Sequence, residues 1–109
     1  MLFFLEDMDS SGNSGLHLAS EYGHLSIVNI LIESGIDSNM KNGDGTTPLE
    51  LSCRKGYFEI SKLLIASYSA PFSQYTTRGA NEKNENPLHV ACYEGAHEVV
   101  RLLLLKGKF

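Results

Sequence analysis

Residues 85–107 read "ENPLHVACYEGAHEVVRLLLLKG" and divide at a glycine into a short and a longer apolar stretch. Asn86 followed by Pro87 is typical of a helix start, because asparagine caps a helix N-terminus and proline has no N–H to leave unpaired in the first turn. Gly95 is placed to end that helix. The dense apolar residues over 99–105 predict a second helix that needs neighbours to cover it. The segment therefore predicts a helix pair.

Two earlier segments repeat this pattern. "TTPLELSCRKGYFEISKLLIASY" begins at Thr46, 39 residues before Glu85, and "NSGLHLASEYGHLSIVNILIESG" begins at Asn13, 33 residues before Thr46. The matched positions of these two copies are Leu16 and Leu49, Gly23 and Gly56, Ile27 and Ile60, and Leu31 and Leu64. The longer spacing before the third copy indicates a six-residue insertion.

The start of each short helix carries its own capping residues. In the second copy Thr47 is a good N-cap, Pro48 suits the first turn, and Glu50 completes a Thr-x-x-Glu capping box. In the first copy Ser14 is the cap, and Gly15 stands where the other copies have proline. Gly23, like the glycines at 56 and 95, is expected to close the short helix.

A 33-residue period with a Thr-Pro-Leu-His-x-Ala type start and a glycine-punctuated helix pair resembles the ankyrin repeat family. The resemblance covers residues 9–107 and is most specific in the third copy. It implies an all-α solenoid of about three stacked helix-turn-helix repeats with hairpin-like loops at one edge. Residues 33–48 have the length of such a loop, with Gly35 ending a helix and residues 42–45, "NGDG", at the tip.

One ankyrin repeat domain is therefore expected over residues 1–109, with a non-repeat segment at 1–8 and repeats at about 9–41, 42–80 and 81–109, the last one incomplete. Tyr68 replaces the glycine that should end the second repeat, so this helix is expected to reach about Ser69, before the insertion near 68–80. The segment 69–85 carries Phe72, Tyr75 and Arg78, either packed on the stack or forming a binding finger; both readings stay open.

The two ends, "MLFFLED" and "LLLLKGKF", lack the polar outer face of a capping repeat. We therefore expect a fragment of a longer array, which by itself partly unfolds or self-associates through its uncapped ends.

His89 lies three residues before Cys92, a spacing that raises the question of a nucleophile or a metal site. His17 and His89 hold equivalent positions, where the second copy has Glu50, so we predict that they bond the exposed backbone at a helix start. Cys53 and Cys92 are also equivalent and are interpreted as small residues facing a neighbouring helix. No paired-ligand spacing, phosphate loop or triad is found, so no catalytic residue, metal or cofactor is predicted.

The composition excludes further classes of function. A net charge of -4 with nine Lys plus Arg argues against nucleic-acid binding, and no apolar run approaches the roughly 18 residues of a membrane span. Two cysteines without CxxC spacing fit a reducing compartment. We expect a cytoplasmic protein; the nucleus, and the cytosolic part of a larger membrane protein, stay open as alternatives.

The family resemblance implies that partners are held by loop tips and by the residue pair before each closing glycine. The predicted protein-binding residues are Glu21, Tyr22, Asp44, Thr46, Arg54, Lys55, Tyr93 and Glu94. The three pairs before the closing glycines would form a strip with a basic centre between two aromatic-and-acidic flanks, suited to an acidic or mixed-charge partner protein or peptide. The strip consists of Glu21, Tyr22, Arg54, Lys55, Tyr93 and Glu94. The alternative is a structural spacer in a longer array, without a ligand of its own.

Asn39 resembles the loop asparagine that is hydroxylated in many ankyrin proteins, with Leu31 eight residues before it and Asp37 two before it. Ser38 departs from the usual branched apolar residue. Hydroxylation of Asn39 is an expectation from this resemblance alone.

Overall fold

The computed structural model describes residues 7–67 and 87–106, and in these ranges the chain forms three pairs of helices. The pairs are α1 (Gly15–Glu21) with α2 (Leu25–Glu33), α3 (Pro48–Lys55) with α4 (Phe58–Ser67), and α5 (Pro87–Tyr93) with α6 (His97–Lys106). The predicted helix pairs are confirmed. The expected end of α4 at Ser69, the insertion near 68–80, the side chains of Phe72, Tyr75 and Arg78, and the cap Asn86 lie outside the described residues.

The helix starts follow from the caps. Ser14 has extended backbone (ψ 171°), and its Oγ accepts a hydrogen bond from the His17 N–H at 3.3 Å. Thr47 does the same for α3, where its Oγ1 accepts from the Glu50 N–H at 3.3 Å. These bonds pair backbone donors that have no partner inside the helix.

The closing glycines adopt the left-handed conformation that the turn between paired helices requires. Gly23, Gly56 and Gly95 have φ angles of 78°, 76° and 70°. Gly23 has a second constraint, because a Cβ atom there would lie 2.9 Å from the Cζ atom of Tyr57 in the next repeat. Only glycine satisfies both conditions without strain.

The helices stack in two rows, which confirms the all-α solenoid. The first helices α1, α3 and α5 pack side by side, and so do the second helices α2, α4 and α6. The core lies between the rows and consists of Leu16, Ala19, Val28, Ile36, Leu49, Cys53, Ile60, Leu64, Ile65, Val90, Ala91, Val99 and Leu103. Each short helix is stabilised mainly by this burial, because isolated helices of such length are marginal in water.

The loop before α3 is held against the segment before α1. The Gly43 N–H donates to the Ser11 carbonyl at 2.9 Å, and the Asn42 side-chain amide donates to the Asn13 Oδ1 atom at 2.9 Å. The Asn42 Oδ1 atom also accepts from the N–H groups of Asp44 and Thr46, each at 2.9 Å. Asn42 therefore shapes its own turn and joins two successive loops.

Candidate functional site

The predicted strip lies at the ends of α1, α3 and α5, on the edge where the chain turns into each second helix. Tyr93 is 86% exposed, and Tyr22 is also exposed. Lys55 and Glu94 are exposed as well, whereas Glu21 and Arg54 are half-buried. The strip therefore presents both aromatic and charged side chains to the solvent.

A groove runs between the α3–α4 turn and the α5–α6 turn and brings three strip residues together. It encloses about 290 Å³, with Arg54 and Lys55 on one side and Glu94 on the other. The remaining lining residues are Gly56, Phe58, Gly95, Ala96, His97, Glu98 and Val99. Glu21, Tyr22 and Tyr93 do not line it. The groove is thus built by the second and third repeats.

The two walls of the groove differ in charge. One wall carries the cations of Arg54 and Lys55, and the other carries the carboxylates of Glu94 and Glu98. Glu98 lies 3.5 Å from the His97 Nε2 atom and 3.6 Å from the Arg101 Nη1 atom, but these groups are largely exposed. Exposed ion pairs of this kind contribute little to stability.

Sequence reasoning missed three further lining residues of the groove, Phe58, His97 and Glu98. These residues follow the closing glycines by two or three positions, so they begin the second helices. A repeat alignment places Phe58 and His97 at the same position after their glycines, which is the signal that could have found them. Only the stacking shows that they face a common groove.

Of the predicted loop residues, Asp44 is exposed and Thr46 is not. Thr46 is only 4% exposed, and its carbonyl oxygen accepts a hydrogen bond from the His17 Nε2 atom at 2.9 Å. Thr46 therefore holds the loop against the first repeat and does not offer its side chain to a partner. This corrects its assignment to the contact surface.

Asn39 lies in the same loop and is half-buried. Its N–H donates to the Asp37 Oδ1 atom at 2.9 Å, which fixes a local turn around Ser38. Hydroxylation of Asn39 stays a prediction.

His17 has a structural role that extends beyond its own helix. Its Nδ1 atom accepts from the Ser14 N–H at 3.0 Å, as predicted for a residue at a helix start. Its Nε2–H donates to the Thr46 carbonyl, so one buried ring joins the first repeat to the loop of the second. The equivalent His89 is exposed.

The two cysteines, though equivalent in the repeat, have different surroundings. Cys53 is fully buried, and burial raises the pKa of its thiol to about 12, so this thiol stays protonated and unreactive. Cys92 is exposed. The prediction that Cys92 faces a neighbouring helix is wrong for the described residues, because no helix among them packs over that face of α5.

Residues 7–67 and 87–106 contain no group of three or more His, Cys, Asp or Glu residues arranged to hold a metal ion. No helix in these ranges has both the length and the apolar character needed to cross a membrane.

The buried His17 predicts a pH-dependent stability. Burial lowers the pKa of His17 below its ordinary 6.5, so the unfolded chain binds this proton more readily than the folded chain. The contribution of His17 to the free energy of unfolding is therefore complete above the pKa of this residue in the unfolded chain. It is lost as the pH falls from about 6.5 towards the pKa of His17 in the folded chain. We expect the free energy of unfolding, measured with denaturant, to decrease between about pH 7 and pH 5.

The matched control for this pH effect is H17Q, in which nothing titrates at position 17, so the decrease should be smaller. Hydrogen bonds from the backbone of Asn13 and Ser11 lower the pKa of Asp9 below its ordinary value of 3.8. The protonation of Asp9 therefore affects stability only at a pH below the range in which His17 titrates. An equal decrease in H17Q and in the unmodified chain would assign the effect to other groups.

The geometry defines a class of protein: a helical-repeat solenoid with a solvent-facing groove. A protein family described as "Ankyrin repeats (3 copies)" matches this chain over residues 16–109. The chain belongs to the ankyrin repeat family, whose repeats are non-catalytic modules of protein–protein interaction.

Similar proteins have very different names. The chain is 39% identical over 92 residues to a probable E3 ubiquitin-protein ligase, XBOS33, of Oryza sativa subsp. japonica, covering 84% of this chain and 17% of that protein. It is 31% identical over 99 residues to a transient receptor potential cation channel subfamily A member 1 homolog of Caenorhabditis elegans, and the match covers 91% of this chain and 8% of that protein. It is 28% identical over 106 residues to human NF-kappa-B inhibitor alpha, and the match covers 97% of this chain and 33% of that protein. The chain thus spans a third or less of each.

Proposed function

We propose that this chain is a protein-interaction module that holds a segment of a partner protein in the groove between the α3–α4 and α5–α6 turns. The observation that supports this best is the arrangement of Arg54 and Lys55 opposite Glu94 and Glu98, in a groove that Phe58 also lines. The family's general role as an interaction module supports it as well.

The size of the groove favours a protein segment over a free small molecule. Its 290 Å³ is at the lower limit of ligand pockets, which are typically about 300–1,000 Å³. A space of this size takes one or two side chains of a larger partner. The exposed Tyr93 beside it offers the large, rigid apolar area that binding hot spots commonly use.

The charges define the chemistry of the partner. A carboxylate side chain fits beside Arg54 and Lys55, and a basic side chain fits beside Glu94 and Glu98. An apolar side chain between these charges would contact Phe58. Charges of this kind determine orientation and association rate more than affinity, so the apolar contact should supply most of the binding energy.

A peptide-display library tests this proposal with the 109-residue chain as bait. We expect enriched peptides that carry an acidic and a basic residue around an apolar one. The affinity of these peptides for the double variant R54E/K55E should be lower by about tenfold or more, because the acidic side chain of the peptide would then lie beside two introduced glutamates. Affinity is measured by calorimetry, and circular dichroism verifies the fold.

The matched control is K41E/K62E, which makes the same change in net charge at two exposed lysines outside the groove. Its affinity for the selected peptides should equal that of the unmodified chain. Enrichment of no peptide, or equal weakening by both double variants, would reject the groove as the contact and favour the alternative of a structural spacer.

A further inference from the structure

Repeat-equivalent residues differ sharply in burial between the interior and the two ends of the stack. In α4 and α6, Ile60 and Val99 are 2% and 3% exposed, whereas their equivalent Ile27 in α2 is 47% exposed. Leu18 in α1 shows the same contrast with the buried Leu51 in α3. The second and third repeats bury these positions against the repeat that precedes them. The first repeat therefore presents the same apolar face, here called the N-face, to solvent.

The opposite end shows the reverse pattern. Leu104 in α6 is 46% exposed, whereas its equivalent Ile65 in α4 is 5% exposed. Cys92 is exposed, whereas Cys53, the equivalent residue in α3, is fully buried. In the second repeat these positions are buried where the third repeat packs on it. The third repeat therefore presents this second face, here called the C-face, to solvent.

The N-face and the C-face are the two halves of an interface that the fold already makes twice. The C-face of the first repeat packs on the N-face of the second, and the C-face of the second packs on the N-face of the third. The residues that define the two free faces, Leu18 and Ile27 on one and Leu104 and Cys92 on the other, carry no like charges that would oppose contact. The internal interfaces thus specify the occupant of each free face as the opposite face of an ankyrin-type helix pair.

We infer that two copies of this chain bind head to tail, with the C-face of one copy on the N-face of the next. Leu104 of one copy would then pack against Ile27 of the other, continuing the row of second helices across the contact. Since each copy carries one of each face, the contact is heterologous, and a head-to-tail dimer keeps one free face at each end. Assembly therefore extends beyond the dimer as the concentration rises.

Sedimentation velocity of the 109-residue chain over a range of concentrations tests this inference. We expect a mass that increases with concentration. I27D alters only the N-face and L104D alters only the C-face, and each should weaken self-association by about tenfold or more, because a charge would be buried at the contact. A66D places the same charge at an exposed position of α4 away from both faces, and it should self-associate like the unmodified chain.

Mixing the two variants provides the decisive measurement. An I27D copy keeps its C-face and an L104D copy keeps its N-face, so an equimolar mixture should form a dimer that stops growing. A dimer of L104D alone would show an N-face to N-face contact, and a dimer of I27D alone would show the converse; either result overturns the head-to-tail inference. So does an unmodified chain that stays monomeric at the highest concentration reached, with circular dichroism confirming its helices.

Discussion

Replacing Leu64 with alanine is expected to lower the free energy of unfolding by about 2–5 kcal/mol. Leu64 is 2% exposed at the middle of α4, the second helix of the central repeat. Alanine removes its buried methyl groups and leaves a cavity that the surrounding helices fill only in part. The measurement is equilibrium denaturation followed by circular dichroism.

The effect of L64A is large relative to the whole domain. Small domains are stable by only about 5–15 kcal/mol, and each ankyrin repeat depends on its neighbours for burial. Since α4 packs on both α2 and α6, a cavity there weakens both internal interfaces. The control is L105A, which shortens an exposed leucine of α6 and should change stability little. Equal losses in L64A and L105A would contradict the stacking described for α4.

Replacing His17 with alanine is expected to lower the free energy of unfolding by about 2–5 kcal/mol. The substitution removes the buried imidazole ring, so the Ser14 N–H loses its hydrogen-bond acceptor and the Thr46 carbonyl loses its donor. A buried polar group without a partner costs about 1–3 kcal/mol, and the vacated ring adds a cavity. Denaturant unfolding measures the loss, and faster hydrogen exchange of the Ser14 amide locates it.

The control for H17A is H24A. His24 is exposed and its side chain makes no capping bond to α2, so its removal should leave stability nearly unchanged. If H17A lowers the free energy of unfolding no more than H24A does, the His17 ring does not stabilise the contact between the two repeats. A loss in H17A without faster exchange at Ser14 would place its effect elsewhere.

Much of the fold could be predicted because its signals are local. Ser14 and Thr47 cap the helices that they precede, and Gly23 and Gly56 end them, through hydrogen bonds and backbone angles within a few residues. Such interactions depend on the immediate sequence. The regular spacing of these signals was therefore enough to predict three helix pairs and their family.

The candidate site could be predicted only in part. Arg54, Lys55 and Glu94 were found because they precede closing glycines, and they do line one groove. Phe58 and Glu98 were missed, since their proximity to those residues arises from the stacking of two repeats. Thr46 was assigned to the surface but is buried, and its carbonyl accepts a hydrogen bond from His17, 29 residues earlier in the chain, which the local sequence does not indicate.

By itself, the sequence determined the helix pairs, their caps and turns, and the repeat that joins them, because each of these depends on residues close together in the chain. Only the tertiary structure decided which of two equivalent residues is covered, as for Cys53 and Cys92, or for Ile60 and Ile27. The physical reason is that burial is a property of the neighbouring layer. Identical repeat positions therefore become core in the interior of the stack and open surface at its ends.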